Sequence, residues 1–469
     1  MRVVVIGGGI VGAAAAFHLT RRGVSVVVVD AGLSGRATDA GAGIVCPWVD
    51  HADSSAWYQL SCGGARHYPS LVELLGGDSG YARVGALLVA EDPVELDPVE
   101  ALLAERYAGA PEMGEVRRVT RPVDLFPALD PSLAGLFVPG AARVNGRRLR
   151  DALLTAAVAG GAELVYGTAT VSADGTVIVT SPTPAPGVAR DAEGRDGAPG
   201  GIPGNGAPSG TSGEGLPGGA LREGVPGGTL GEGWREVSGD VVLVAAGAWS
   251  GGVWPGLGAA VTARRGQIVH VELPGRDTGS WPIVLPQRGP YLLGFPGSRV
   301  VVGATVEDVG FDARVTVGGL EEVLASGMLV APGLRDATVV ETRVGLRPVY
   351  TAGGRVGVGL AATQVGGDDP MARQEQVGGD RPGARQEQVG REGPGVGDGE
   401  AEFTGGRAAY GEERPVIAEV APKVIVATGL SAYGLTAGPY AGLLAACLAI
   451  GETPPLDLAP YGMITSSPP

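Results

Sequence analysis

The sequence predicts an α/β fold: a βαβ unit at the front, an α+β part with a mixed sheet behind it, and two low-complexity insertions. Three observations carry that expectation. The chain opens on Val3-Val4-Val5-Ile6-Gly7-Gly8-Gly9-Ile10-Val11-Gly12, runs through alanines to Leu19, and continues as Val26-Val27-Val28-Val29-Asp30, the pattern of strand, tight turn, helix, strand and acid. Asp240-Val241-Val242-Leu243-Val244 reads as a buried parallel-type strand ending in a small-residue turn, and Val424-Ile425-Val426-Ala427-Thr428-Gly429 repeats the strand and glycine turn before a last helix. The 83 Gly and 36 Pro are far above ordinary usage, and the surplus is localised in two stretches.

In the opening unit, Gly7 permits the turn, Gly9 lets backbone approach a pyrophosphate, and Gly12 lets the helix lie close on the strand. The helix N-terminus at Ile10 and Val11 offers N–H donors and the positive end of its dipole to phosphates. Asp30 closes the second strand, where a carboxylate accepts both ribose hydroxyls and repels a 2′-phosphate, which favours FAD or NAD over NADP. The following Gly35-Arg36-Ala37-Thr38-Asp39-Ala40-Gly41-Ala42-Gly43-Ile44-Val45 is small and has no apolar period; it suits close backbone approach to a flat ligand, with a plain surface loop as the other reading.

Residues 52–76 carry a mostly apolar helical face, Val84–Val89 reads as strand, Asp97–Tyr107 and 147–160 as helices, and Glu163–Val171 as one strand followed by a hairpin arm at Thr176–Thr180. Mixed strands are expected around Gln267–Glu272, Tyr291–Phe295 and Val300–Glu307, and a final helix over Gly438–Ile450. Between them, residues 184–234 are almost wholly Gly, Pro, Ala, Ser and Glu, too poor in apolar surface to offset ordering entropy, and without the every-third glycine of collagen. They read as a disordered insertion at a hairpin tip. A second insertion, 365–412, contains a twelve-residue unit that starts at Val365 and recurs from Val377; with one Val per unit it has no face to stack and reads as a disordered, duplicated linker.

Composition narrows the function. With 469 residues two domains are expected, and a formal charge of −15 with Lys423 as the only lysine excludes a basic footprint for nucleic acid or anionic lipid. Cys46, Cys62 and Cys447 are widely spaced, so neither a disulfide framework nor a metal site is expected, and a reducing cytoplasm fits. The apolar N-terminus contains three consecutive glycines and leads into a strand, unlike a signal peptide, and no uninterrupted run of the roughly 18 apolar residues of a membrane helix is present.

Several ordered motifs point to one family: the opening fingerprint, Gly35-Arg36-Ala37-Thr38 with Ala42-Gly43-Ile44, Val244-Ala245-Ala246-Gly247-Ala248-Trp249-Ser250-Gly251, Val302-Gly303-Ala304-Thr305, Gly345-Leu346-Arg347-Pro348, and Ala427-Thr428-Gly429 with Gly434-Leu435-Thr436. On these residues the chain resembles the flavin-dependent D-amino-acid oxidase superfamily, in particular bacterial glycine oxidase and D-amino-acid dehydrogenase. The resemblance covers almost everything outside the insertions. It implies a discontinuous Rossmann-type FAD domain (1–50, 141–183, 235–264 and 413–469) interleaved with a mixed-sheet substrate domain (51–140 and 265–364). It also implies non-covalent FAD held by Gly7, Gly9, Ile10, Val11, Gly12, Asp30, Ala31, Arg36, Ala37, Thr38, Ala42, Gly43, Ile44, Thr170, Ala246, Gly247, Trp249, Leu430, Gly434, Leu435 and Thr436, with the 430–436 loop along the flavin's pyrimidine edge.

Oxidising an amine beside a carboxylate asks the protein chiefly for placement, because the cofactor supplies the electron chemistry. What is needed is an anchor for the carboxylate, and an arginine fork is its natural partner. Arg347 matches the family's carboxylate-binding arginine and Tyr291 a tyrosine that assists it. The four histidines, His18 and His270 among them, suggest packing rather than catalysis. Three positions depart from relatives: Val344 stands where glycine oxidases have an aromatic, Ala432 where they have an arginine, and Leu346 where monomeric sarcosine oxidases carry the cysteine that bonds flavin. The expected partners are a small amino acid or amine and O2 or another electron acceptor, with homo-oligomerisation left open. A quinone-linked dehydrogenase, a flavin-binding scaffold without turnover and an NAD-dependent dehydrogenase are the alternatives.

Overall fold

The structure, a computed structural model, describes residues 1–52, 54–180, 233–351 and 413–463. Nearly all of the two predicted insertions, and residues 352–364 ahead of the second, lie outside the described residues.

The βαβ unit forms as expected. Its strands belong to a six-stranded sheet in the order Val416–Ala421, Val424–Thr428, Val241–Val244, Arg2–Ile6, Ser25–Asp30, Glu163–Tyr166, parallel throughout except for the first pair. The valine runs are apolar at every position because both faces are covered. Val3, Val5, Val26 and Val28 pack towards the helices, while Val4, Ile6, Val27 and Val29 pack on a small antiparallel sheet of Thr168–Val171, Val177–Thr180 and Trp234–Val237.

Two predictions need correction here. Glu163–Val171 is two strands in different sheets, broken at Gly167, whose φ of 159° lets the chain turn from one layer to the other. The first insertion was expected to run to 234, but Trp234 already pairs with Thr180, so strand Trp234–Val237 closes the hairpin that the arm at 176–180 implied.

On the helical side, Ile10–Thr20 packs against the last helix, which spans Gly434–Ala449 rather than starting at 438. Pro439 obscured that start: lacking an N–H, it leaves the Leu435 carbonyl without its helical donor, and the buried Tyr68 hydroxyl donates to that carbonyl instead. The stretch Ser431–Ala449 has the length and hydropathy of a membrane span, yet 72% of it is buried within this core.

The second layer system is an eight-stranded mixed sheet. Its long edge strand Thr338–Tyr350 pairs with Val261–Glu272, and Arg299–Gly303, Tyr291–Phe295, Ile283–Pro286, Ala86–Ala90, Ala134–Val138 and Arg117–Val119 follow. Pro348 is tolerated because its strand lies at the edge.

The helix pair depends on missing side chains. A Cβ on Gly442 would meet the Val11 carbonyl oxygen at 2.5 Å and the Ala14 Cβ at 2.7 Å. Gly442→Leu is therefore expected to destabilise the protein by about 1–3 kcal/mol through overpacking, whereas Gly109→Ala, with nothing within 4 Å of the new Cβ, changes little. Thermal melts of the two variants check this; equal melting temperatures would refute the packing argument.

Candidate functional site

A cleft of about 390 Å³ runs between the two large sheets and is lined from both. At one end the strand of Arg2–Ile6 delivers Gly7, which has a φ of 106° and lies so close to the 245–246 turn that a Cβ would stand 2.4 Å from the Ala245 carbonyl oxygen. Only glycine fits there. Gly9 caps the first helix without a side-chain hydrogen bond, and the helix's first turn carries no acid to offset its dipole. The Ile10 N–H donates to Thr38 Oγ1 at 3.0 Å, and a Cβ on Gly9 would meet only that same oxygen, at 3.5 Å.

Every predicted cofactor residue lines the cleft except Gly12 and Thr170. Gly12 sits behind it, where a Cβ would stand 1.8 Å from the Gly7 carbonyl oxygen, in agreement with a helix-to-strand contact. Thr170 is exposed, the third residue of its strand, and the cleft wall there is made by Gly167, Thr168 and Ala169 before it.

Asp30 is engaged more fully than expected. One carboxylate oxygen accepts from the Gly8 N–H (2.5 Å), and the other from the Gly32 N–H (2.8 Å) and Arg36 (2.6 Å), which also reaches Asp39 at 3.3 Å. A carboxylate has about four acceptor positions, so a ribose offering both hydroxyls requires Arg36 to turn out of the pair.

The far end holds Arg347 and Tyr291. Arg347 lies on the edge strand opposite Arg264, and its guanidinium folds back over Gly266, where a Cβ would stand 2.5 Å from Nη2; Nη1 donates to the Thr305 carbonyl at 3.1 Å. Three strands along the sheet, Tyr291 faces Gly303 in register, and the absent side chain leaves room for the phenol: a Cβ there would be 3.2 Å from its hydroxyl. Arg264, a like charge directly across from Arg347, is neutralised by Asp308 (2.9 Å) and Glu413. Burial raises the Glu413 carboxyl above its ordinary range against the pull of Arg264, and Glu413 also accepts from the Ser431 hydroxyl at 2.8 Å, tying the substrate sheet to the 430–436 loop.

Behind Tyr433, which lines the cleft, His51 lies at 4.2 Å between ring centroids and itself stacks on Trp57 at 5.1 Å. Burial holds every histidine neutral: His51 and His67 are pushed down to about 4, and His18 and His270 to about 3. Asp50, Cys46, Tyr433 and Gly266 are cleft residues that sequence reasoning missed. Gly266 had a readable signal, a glycine inside an otherwise regular strand, which marks close approach of another group. Leu346 also lines the cleft, is 1% exposed and offers no nucleophile.

The arrangement fits a flavin dinucleotide. A helix N-terminus without an acid in its first turn and bare glycines at 9, 247 and 434 leave space that side chains would fill, Asp30 lines the cleft at the end of the second strand, and a second helix begins at the cleft at Gly434.

The comparisons agree. Residues 2–193 and 217–362 match the DAO family, described as FAD dependent oxidoreductase. The chain is similar to the uncharacterized oxidoreductase YurR of Bacillus subtilis (strain 168), 34% identical with 98% of this chain and 97% of that one covered. It is 27% identical to the glycine oxidase of Pseudomonas putida, over 74% of this chain and 82% of the other. The crystal structure of iminodiacetate oxidase (IdaA) from Chelativorans sp. BNC1 superposes with a TM-score of 0.72 at 34% identity, covering 98% and 99% of the two chains. A family match over most of the chain, with the fingerprint and the cleft it lines, leads to one conclusion: the chain belongs to the DAO family of FAD-dependent oxidoreductases.

Proposed function

We propose that the enzyme oxidises the CH–NH bond of a small amino acid or secondary amine, such as glycine, sarcosine or a D-amino acid, to an imine that water hydrolyses to the oxo acid. The observation that carries this reading is Arg347, held over Gly266 and on the Thr305 carbonyl at the end of the cleft remote from the dinucleotide fingerprint. A guanidinium so placed receives a carboxylate in a two-pronged pair, and the Tyr291 hydroxyl supplies a further hydrogen bond to it. FAD, when bound, would supply the acceptor for the hydride that leaves the substrate's α-carbon. The chain's own work is to fix the α-carbon against that acceptor and to exclude water with Leu285, Pro286, Ile268 and Tyr433. Relatives named for glycine and for iminodiacetate support the reading, since both compounds place a carboxylate on the carbon next to nitrogen.

An anaerobic titration of the holoenzyme with glycine, sarcosine and a set of D-amino acids is expected to bleach the flavin absorption for at least one; failure of every amine would overturn the assignment. Removing the anchor in Arg347→Ala costs about 2–5 kcal/mol in binding of the productive substrate, a rise in KM of orders of magnitude, and near-normal kinetics would contradict its role.

The pH profile follows from the neutral histidines. With all four held at about 3 or 4 by burial, none gains or loses a proton between roughly pH 5 and 8. Catalytic efficiency should rise with pH as the substrate amine loses its proton, with no limb near the ordinary histidine value; such a limb would implicate His51 behind Tyr433.

Leu346 carries no thiol, and burial pushes the Cys46 thiol far up, which leaves it protonated and unreactive towards flavin. Acid precipitation of the holoenzyme should therefore release all yellow colour to the supernatant. Colour retained in the washed pellet would show a covalent bond.

A further inference from the structure

An arginine anchor works only if its guanidinium is held in one place, and both supports of Arg347 are set from the far side of the sheet. Those supports are the bare backbone of Gly266 and the carbonyl of Thr305. Glu307 grips the residues that carry them. One oxygen of its carboxylate accepts from the Thr305 hydroxyl (2.6 Å) and from the Gln267 amide (2.7 Å); the other accepts from the Arg265 guanidinium (2.5 Å). Arg265 and Gln267 flank Gly266, and strand alternation sends their side chains to the face opposite the one that Gly266 shares with Arg347.

The network is closed on itself. The Thr305 hydroxyl also accepts the Gln267 backbone N–H at 2.9 Å, Thr316 bonds both ends of the Gln267 amide at 2.9 and 2.8 Å, and Asp312 holds Arg265 at 3.0 Å. Thr305 and Gln267 are fully buried, and neither Thr305 nor Glu307 lines the cleft. Ionic networks of this kind are poor sources of net stability, but several mutual hydrogen bonds specify one geometry, here with the Nε of Arg265 as the one buried polar atom of the group that has no partner.

We propose that Glu307 is the positioning residue of the carboxylate site: by clamping Arg265, Gln267 and Thr305 it fixes the floor and the carbonyl on which Arg347 rests, without touching substrate or cofactor. This rests on the reading of Arg347 as the carboxylate anchor.

The test uses acetate, a carboxylate without an amine, titrated into the holoenzyme and followed by its perturbation of the flavin spectrum. Glu307→Gln should weaken acetate about tenfold, the size expected for a coupled neighbour, and raise KM for the oxidised amine by a similar factor, with kcat at saturation and FAD affinity nearly unchanged. Thr305→Val, which removes the hydroxyl and keeps the carbonyl, should weaken acetate to a smaller extent and serves as the second probe if the first variant folds poorly. In an Arg347→Ala background neither substitution should weaken acetate further. Unchanged acetate affinity in both single variants, or an equal loss in the Arg347→Ala background, overturns the positioning role. If Arg347→Ala itself leaves acetate binding intact, the anchor reading fails instead, a result distinct from one in which Arg347→Ala weakens acetate and the two positioning variants do not.

Discussion

The structure depends on one contact without side chains, between the first helix, Ile10–Thr20, and the last, Gly434–Ala449. Ala13, Ala14, Ala15 and Ala16 on one side and Ala437, Ala441 and Ala445 on the other are fully buried, with Gly438 and Gly442 where a methyl would collide with Ile10, Val11 or Ala14. Small residues give little hydrophobic area, but they let the two axes approach closely, and close packing then fixes their mutual angle. Both helices begin at the cleft. The positive end of each dipole is thereby turned towards the cleft, as the proposed binding of a flavin dinucleotide requires. A contact buried in the core thus sets the spacing of two electrostatic features on the cleft wall.

The eight-stranded sheet meets this frame through its edge strand. The Leu346 N–H donates to the Gly35 carbonyl at 2.8 Å, and Arg343 bonds Glu341 and reaches the Asp39 carbonyl, so the strand that bears Arg347 is stitched to the loop after the ribose acid. On the other side Glu413 joins Arg264 to Ser431. The anchor is therefore positioned relative to the cofactor loops by hydrogen bonds made to its own strand and to its neighbour. The undescribed segments leave and re-enter at paired residues, Thr180 with Trp234 and Thr351 with Glu413, so the framework around the cleft closes without them.

What was legible in the sequence was what backbone geometry demands of residue type. Gly7, Gly9 and Gly12 could be read because a turn with positive φ, an open donor face and a helix lying on a strand each exclude side chains, and the valine runs because a strand covered on both faces has no polar position. The division of Glu163–Val171 into two strands was missed because the break at Gly167 is a single residue in an otherwise continuous β pattern. The thirteen-residue strand Thr338–Tyr350 was missed outside its motif: its exposed valines and its Glu341, Arg343 and Arg347 form no clean alternation, since Glu341 pairs with Arg343 of the same strand and with Arg147 of a helix. Glu307 and Glu413 leave no local signature at all. Apart from Thr305, which Glu307 meets two residues away, their partners lie 18 to 149 residues off in the chain, and the fold brings them together.

That division explains why so little of the chemistry resides in the usual catalytic residues. Burial keeps the four histidines neutral and the Cys46 thiol protonated, so the described cleft offers no poised base or nucleophile of those types. With an electron acceptor bound, none is required; the barrier left to the protein is one of orientation, and orientation is what rigid supports provide. A flexible arginine on a surface strand would bind a carboxylate as well in the ground state yet let the α-carbon wander. Held over Gly266 and on the Thr305 carbonyl, Arg347 has lost that freedom in the folded chain, so in the proposed role of carboxylate anchor its entropy would be spent in folding rather than in each turnover.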